Sequence, residues 1–150
     1  MTRALVVYDS KYGNTKVVAE LIAKGIQTKG KIKTNLIFMD DIDVKKMSDY
    51  DILVIGSPNH YSKPSKKTLG FIEKLRDMNL ASKKIAAFDT CLRKQEGRAF
   101  RKIEARTLEN VPGSQVVTPG LSILVGGLKG PILDGELPKC EEFGKKIAKG

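Results

Sequence analysis

The chain has little sulfur and little imidazole. Its two cysteines, Cys91 and Cys140, are too few for a disulfide framework, and no cluster of His or Cys surrounds them as a structural zinc site would require. His60 is the only histidine, which excludes any catalytic system built on two imidazoles. No apolar run approaches the roughly 20 residues needed to cross a bilayer. The apolar stretch behind Met1 is too short for a secretory signal, and no small-residue cleavage site follows it. Repeats, low-complexity tracts and Gly/Ser/Pro linkers are also missing. These absences lead us to expect a cytoplasmic protein without a membrane association, with residues 1–150 forming a single domain. A chain of this length can bury roughly 70% of its unfolded surface in one core.

Positive charge is abundant. The 150 residues carry 27 Lys and Arg against 17 Asp and Glu, a net charge of +10, although 41% of the residues are apolar and 29% charged, as in an ordinary globule. A pI near 9.6 raises nucleic acid as a partner. The distribution of the charges argues against it. Arg93, Lys94, Arg98, Arg101, Lys102 and Arg106 form one basic run interleaved with Glu96, Glu104 and Glu109, with Phe100 as the lone aromatic. Single-strand binding needs interleaved aromatics, and no helix-turn-helix, RNA-recognition or zinc-finger pattern is present. The run is either a solvated helix face or a docking surface for an acidic partner.

Hydrophobic patterning gives the architecture. Residues 4–8, 36–39, 52–55 and 85–88 are short continuous apolar runs, as expected of strands buried on both faces. Residues 116–117 and 121–125 form a split fifth. Between them lie amphipathic segments. Val17, Val18, Leu21, Ile22 and Ile26 recur at helical spacing, with a stop near Gly30. Three Asp residues then mark a connection with about one helical turn, before a helix over residues 65–77 with Leu69, Ile72 and Leu75. A helix over 98–109 carries Phe100, Ile103 and Leu108, and a last helix spans about 135–149, with Cys140 as a structural thiol. This alternation predicts an α/β fold, a doubly wound parallel sheet with helices on both faces.

Ligands of such sheets lie beyond the carboxyl ends of the strands, where the strand order reverses. Three polar loops leave those ends, at residues 9–15, 56–64 and 89–97, and they should converge. The first runs Ser10, Lys11, Tyr12, Gly13, Asn14, Thr15 directly from a buried strand into a helix. Its backbone N–H groups and the helix N-terminus can cradle a phosphate, with hydroxyls and an amide close by. The plain alternative is a helix start capped by Ser10 or Asn14. The loop fits neither GxGxxG nor GxxxxGK[ST], which disfavours a dinucleotide site and a P-loop. A receiver domain is excluded because the third strand ends Ile55-Gly56-Ser57 rather than in an Asp.

The segment Val6-Val7-Tyr8-Asp9-Ser10-Lys11-Tyr12-Gly13-Asn14-Thr15-Lys16-Val17-Val18-Ala19-Glu20-Leu21-Ile22 resembles the N-terminal signature of the flavodoxin family. Gly56-Ser57-Pro58-Asn59-His60-Tyr61 resembles that family's second flavin loop. Gly130-Pro131 and the later Gly135-Glu136-Leu137 are similar as well, so the likeness covers essentially the whole chain. It is closest to the flavodoxin modules of flavo-diiron proteins and to small prokaryotic flavodoxin-like proteins.

The resemblance implies a five-stranded sheet in the order 2-1-3-4-5 and FMN as cofactor. Ser10, Lys11, Tyr12, Gly13, Asn14 and Thr15 would hold its phosphate. Ser57, Pro58, Asn59, His60 and Tyr61 would line one side of the isoalloxazine ring, and Asp89, Thr90, Cys91 and Leu92 the other. The implied function is electron transfer, one or two electrons at a time, between redox partner proteins. An FMN-dependent oxidoreductase acting on a quinone or porphyrinogen is the alternative.

The chain departs from the family in three ways. Its second loop lacks the Gly whose peptide flips toward the reduced ring, leaving Asn59-His60 as the place for such a flip. Its third loop has no aromatic to stack on the flavin, so Tyr61, Tyr12, His60, a partner or a second subunit in a homodimer would cover the ring. Finally, Lys11, Lys63, Lys66, Lys67, Arg93, Lys94 and Arg98 make the flavin rim basic where the family is usually acidic. That implies acidic docking surfaces on the partners and a flavin that is easier to reduce.

Overall fold

The computed structural model describes residues 1–149. Strands β1 (Thr2–Tyr8), β2 (Ile32–Phe38), β3 (Ile52–His60) and β5 (Lys84–Cys91) form a parallel sheet in the order β2-β1-β3-β5. Two short strands complete it. β6 (Gln115–Val116) pairs with the start of β5 through Lys84 and Ile85, and β7 (Leu121–Leu124) pairs with its end through Phe88 to Cys91. Together they are the split fifth strand, so the order 2-1-3-4-5 holds. At the interruption, Pro119 has no N–H to give a ladder. Gly120 sits so close to β5 that a Cβ would lie 2.5 Å from the Ala87 carbonyl oxygen.

Each buried run alternates its side chains between two cores, as period 2 requires. Ala4, Val6, Tyr8, Val54, Ala86 and Phe88 face α1 (Asn14–Gln27) and α4 (Leu137–Ala148). Leu5, Val7, Leu53, Ile55, Ile85 and Ala87 face α2 (Lys66–Lys74) and α3 (Arg98–Asn110). Helices α1 and α4 touch backbone to backbone. A Cβ on Gly25 would lie 2.2 Å from the Glu141 carbonyl oxygen, and one on Gly144 would lie 2.2 Å from that of Ile22.

β1 and β2 begin earlier than their apolar runs, at Thr2 and Ile32, whereas β3 and β5 run on past the carboxyl ends of theirs, and this matters for the site. β3 does not stop at Gly56-Ser57-Pro58 but continues in register with β5, Gly56 opposite Phe88 and Pro58 opposite Thr90. Gly56 is required because a Cβ there would meet the Phe88 ring at 1.9 Å. The Gly56 carbonyl accepts from Asp9 N on the β1 side. Pro58, two residues on, faces that same side after β1 has ended, so its missing N–H costs no ladder bond. β5 likewise continues through Asp89, Thr90 and Cys91, because β7 pairs with those residues.

Smaller differences have local causes. Val17 and Leu108 lie at helical spacing but are 40% and 48% exposed, at the edges of their apolar stripes. On α2 it is Phe71 rather than Leu69 that is buried with Ile72 and Leu75, the last in a 3-10 turn that ends the helix. The connection after β2 makes two 3-10 turns rather than one, at Met39–Asp41 and Val44–Asp49.

Candidate functional site

The first loop turns sharply. Gly13 N donates to Ser10 Oγ (3.1 Å), and Gly13 takes a left-handed conformation (φ +93°) that feeds the chain into α1. No side chain caps that helix, so the plain alternative, a start capped by Ser10 or Asn14, is not what forms. The first intrahelical acceptor is the Gly13 carbonyl, bonded by Val17 N. The N–H groups of Asn14, Thr15 and Lys16 have no partner among the described residues. They sit at the positive end of the α1 dipole, the arrangement an anionic group requires. The loop at 126–130 closes over this turn. A Cβ on Gly130 would lie 2.8 Å from Asn14 Oδ1, and Lys129 Nζ stands 5.8 Å from the Tyr12 ring centre, with Lys11 Nζ at 5.4 Å.

The second loop is a hairpin. β3 turns back antiparallel onto β4 (Lys63–Pro64), with His60 opposite Lys63. Its two tip residues, Tyr61 (φ +52°) and Ser62 (φ +69°), have the paired positive φ of a type I′ turn without the usual Gly or Asn. The positive φ therefore falls at Tyr61 and Ser62, not at Asn59. The base of the hairpin is clamped. Ser65 N donates to Ser57 Oγ (2.9 Å), Ser65 Oγ donates to Asp9 Oδ2 (2.6 Å), and Ser65 also caps α2 by accepting from Thr68 N (3.2 Å). The ammonium of Lys67 bridges Asp9 and Asp40. Asp9 thus braces the hairpin. His60 is exposed and Tyr61 is 92% exposed.

The third loop is pinned from below. Asp89 is fully buried and its two oxygens accept from Ser122 Oγ (2.7 Å) and Phe100 N (2.8 Å). Burial pushes its carboxyl up to about 6, against the pull of those two bonds. Cys91 is buried beside it. Burial first, and then the Asp89 charge, push its thiol up to about 12, so it stays protonated at neutral pH and is a poor nucleophile. Thr90 Oγ1 reaches back to Thr15 Oγ1 (2.9 Å) and joins the third loop to the first. Asn59 Nδ2 donates to the Gln95 carbonyl (3.4 Å) and joins the second to the third. Asn59 Oδ1 is buried without a donor.

The three loops converge at the carboxyl ends of β1, β3 and β5. Of the residues that connect and pin them, Thr15, Ser57, Asn59, Asp89 and Thr90 are among those the sequence points to, whereas Ser65, Gln95 and Ser122 are not. Ser65 was legible in principle, as a Ser immediately before a helix. Gln95 and Ser122 carry no sequence signal, because their partners are remote backbone and a buried carboxylate.

A flavodoxin domain model matches residues 5–128. The chain belongs to the flavodoxin family. A flavodoxin of Clostridium beijerinckii is 34% identical over 145 residues, covering 95% of this chain and 97% of that one. Identity to a flavodoxin of Clostridium saccharobutylicum is 32% over 85 residues, which cover 57% of this chain and about half (53%) of the relative. Among solved structures, a flavodoxin from the domain Archaea superposes with a TM-score of 0.84 at 31% identity, covering 98% of this chain and 96% of that one. Flavodoxins bind FMN and transfer electrons to partner proteins, and the family places this chain among FMN-binding electron carriers. Among the described residues no helix is long and apolar enough to cross a membrane.

Proposed function

We propose that the three-loop end of this flavodoxin holds FMN, with residues 10–15 around the phosphate, residues 57–61 on one side of the ring and residues 89–91 on the other. The observation that carries this reading is the uncapped start of α1, whose free N–H groups lie beside the Thr15 and Thr90 hydroxyls. The buried, donor-less Asn59 Oδ1 also fits a ligand with N–H groups. Bound FMN supplies the reversible one- and two-electron chemistry.

The chain's own residues bind and orient. The α1 N-terminus fixes the anionic tail, the Asp9–Ser65–Ser57 clamp fixes the hairpin, and Asp89 fixes the start of α3 under the third loop. Asp89 and Cys91 contribute through the backbone they position, since their side chains are turned into the protein. Tyr61 and His60 are the exposed groups on the hairpin able to cover the ring. The partners carry acidic docking surfaces that complement the +10 charge, a homodimer across the flavin end is one way to shield the ring, and the chain works as one cytoplasmic domain.

Fluorescence titration of the purified protein with FMN and with riboflavin, which lacks the phosphate, tests the reading. FMN should bind far more tightly. Equal affinities would remove the α1 N-terminus from the site.

A further inference from the structure

Beside the hairpin tip lies a groove of about 550 Å³ lined by Ser62, Lys94, Arg98, Arg101, Lys102 and Ala105. Glu96 is the single carboxylate in its lining. Positions 98, 101, 102 and 105 are spaced i, i+3, i+4 and i+7, so they share one face of α3. Lys94 adds its charge from the 3-10 turn at Arg93–Gln95. None of these four cations forms an ion pair among the described residues. Glu104, on the same helix, is half-buried and held toward Gly120.

The placement works against stability. Arg98 and Arg101 lie in the first turn of α3, the positive end of its dipole, with Lys102 next to them, and that first turn holds no acidic residue. Cations there weaken a helix. The Asp89 carboxylate, bonded to Phe100 N, offsets this from beneath. Arg101 is additionally steadied by the Phe100 ring, 5.9 Å from its guanidinium. Packing on Phe100 and the charge of Glu104 help to hold Arg101, but Lys94, Arg98 and Lys102 gather at this end of the helix with no ion-pair partner among the described residues.

Resting on the proposed site, we infer that this groove is the seat of an acidic segment of the electron-transfer partner, which brings the partner's redox group against the hairpin tip at Tyr61 and Ser62. An unpaired basic stripe selects a polyanion. The groove has no aromatic lining, which disfavours single-stranded nucleic acid, whose bases need stacking platforms. The groove also shares Ser62 with the hairpin, so a segment bound there lies next to the loop that flanks the cofactor.

The test uses isotope-labelled, FMN-loaded protein, an acidic Glu/Asp decapeptide as probe, and an oligothymidylate of equal charge as competitor. The peptide should shift backbone amides at residues 61–63 and 94–105, and binding should weaken as salt rises. The double variant Arg101→Glu/Lys102→Glu should bind the peptide about tenfold more weakly while its FMN affinity, read by fluorescence, stays unchanged. A matched pair on α4, Lys145→Glu/Lys146→Glu, should leave peptide binding intact. Equal losses in the two variants, shifts scattered over all basic surfaces, or tighter binding of the oligonucleotide at the same amides would each overturn the proposal. Failure of the wild-type protein to take up FMN would instead overturn the cofactor reading, and the peptide shifts can still be measured on the flavin-free chain.

Discussion

The hydroxyls of Thr15 and Thr90, 75 residues apart in sequence, meet at 2.9 Å in a buried contact that joins the start of α1 to the end of β5. Each needs the other, because a buried hydroxyl without a partner costs about 1–3 kcal/mol. Thr15→Val keeps the shape and removes the bond. It should lower FMN affinity by about tenfold, corresponding to about 1.4 kcal/mol. Riboflavin affinity should change much less, since that molecule has no phosphate at the α1 N-terminus. Parallel fluorescence titrations make the comparison, and an equal loss for both ligands would place Thr15 outside the phosphate cradle.

Ser65 carries three loads at once: its Oγ caps α2 and donates to Asp9, and its backbone N–H, which an alanine keeps, donates to Ser57 Oγ. Ser65→Ala should cost about 1–2 kcal/mol in denaturant unfolding. It should also weaken FMN binding by freeing the hairpin. Asp9→Asn keeps an acceptor for Ser65 Oγ and should be milder on both counts.

Asp89 makes stability depend on pH in an unusual direction. Its folded carboxyl titrates at about 6, raised from an ordinary value of 3.8 mainly by burial. A raised acid is held protonated more firmly by the fold than by the unfolded chain. Its contribution is therefore complete below about pH 4, falls as the pH rises toward 6, and is gone above that. Asp89→Asn keeps an acceptor for Phe100 N and cannot titrate. Between pH 4 and 7 wild type should lose on the order of 2–3 kcal/mol relative to that variant. Denaturant unfolding at several pH values checks it, and parallel pH profiles would show that Asp89 is not the titrating group.

Helices α1 and α4 approach so closely that Gly25 and Gly144 leave no room for a methyl group. The obstacles are carbonyl oxygens, which cannot swing aside as a side chain would. Gly25→Ala and Gly144→Ala should each lower unfolding stability by about 1–3 kcal/mol, despite the better helix propensity of Ala. Gly70→Ala in α2, where no atom lies within 4 Å of the new Cβ, is the control and should be neutral or stabilising.

The sheet was legible because a strand buried on both faces leaves a continuous apolar run, as in Leu5-Val6-Val7 and Leu53-Val54-Ile55. The signal ended where apolarity ended. Ser57, Pro58, Asp89 and Thr90 remain in register with their neighbours, yet their composition is that of a loop. Of the site, the α1 turn was legible because it is local: Gly13 and the hydroxyls around it are within a few residues. The brace beneath it was not. Asp9 with Ser65 and Asp89 with Ser122 and Phe100 bring together residues whose proximity depends on strand order and register, and a single carboxylate at a strand end looks the same whether it faces a ligand or the core. Tyr61-Ser62 was missed as a turn tip for another reason, since its positive φ is imposed by the β3–β4 pairing rather than by residue type.

The basic rim should be visible in the redox potential. Electron uptake makes the flavin more negative, and cations nearby stabilise that state, so the family's usual acidic shell and this chain's Lys11 and Lys63 act in opposite directions. Both side chains are exposed, on the first loop and on β4, and water and salt weaken their effect. A unit charge about 10 Å away in water contributes about 0.4 kcal/mol, or about 18 mV for one electron. Lys11→Gln and Lys63→Gln should each move the second one-electron couple negative by roughly 10–20 mV at low ionic strength, and the double variant by about the sum. The shifts should shrink as salt is raised past the range where the Debye length falls to about 10 Å. Spectroelectrochemical titration of the three variants measures this. A couple that stays fixed, or moves positive, would mean that the flavin responds to its immediate backbone bonds and not to the charge of the rim.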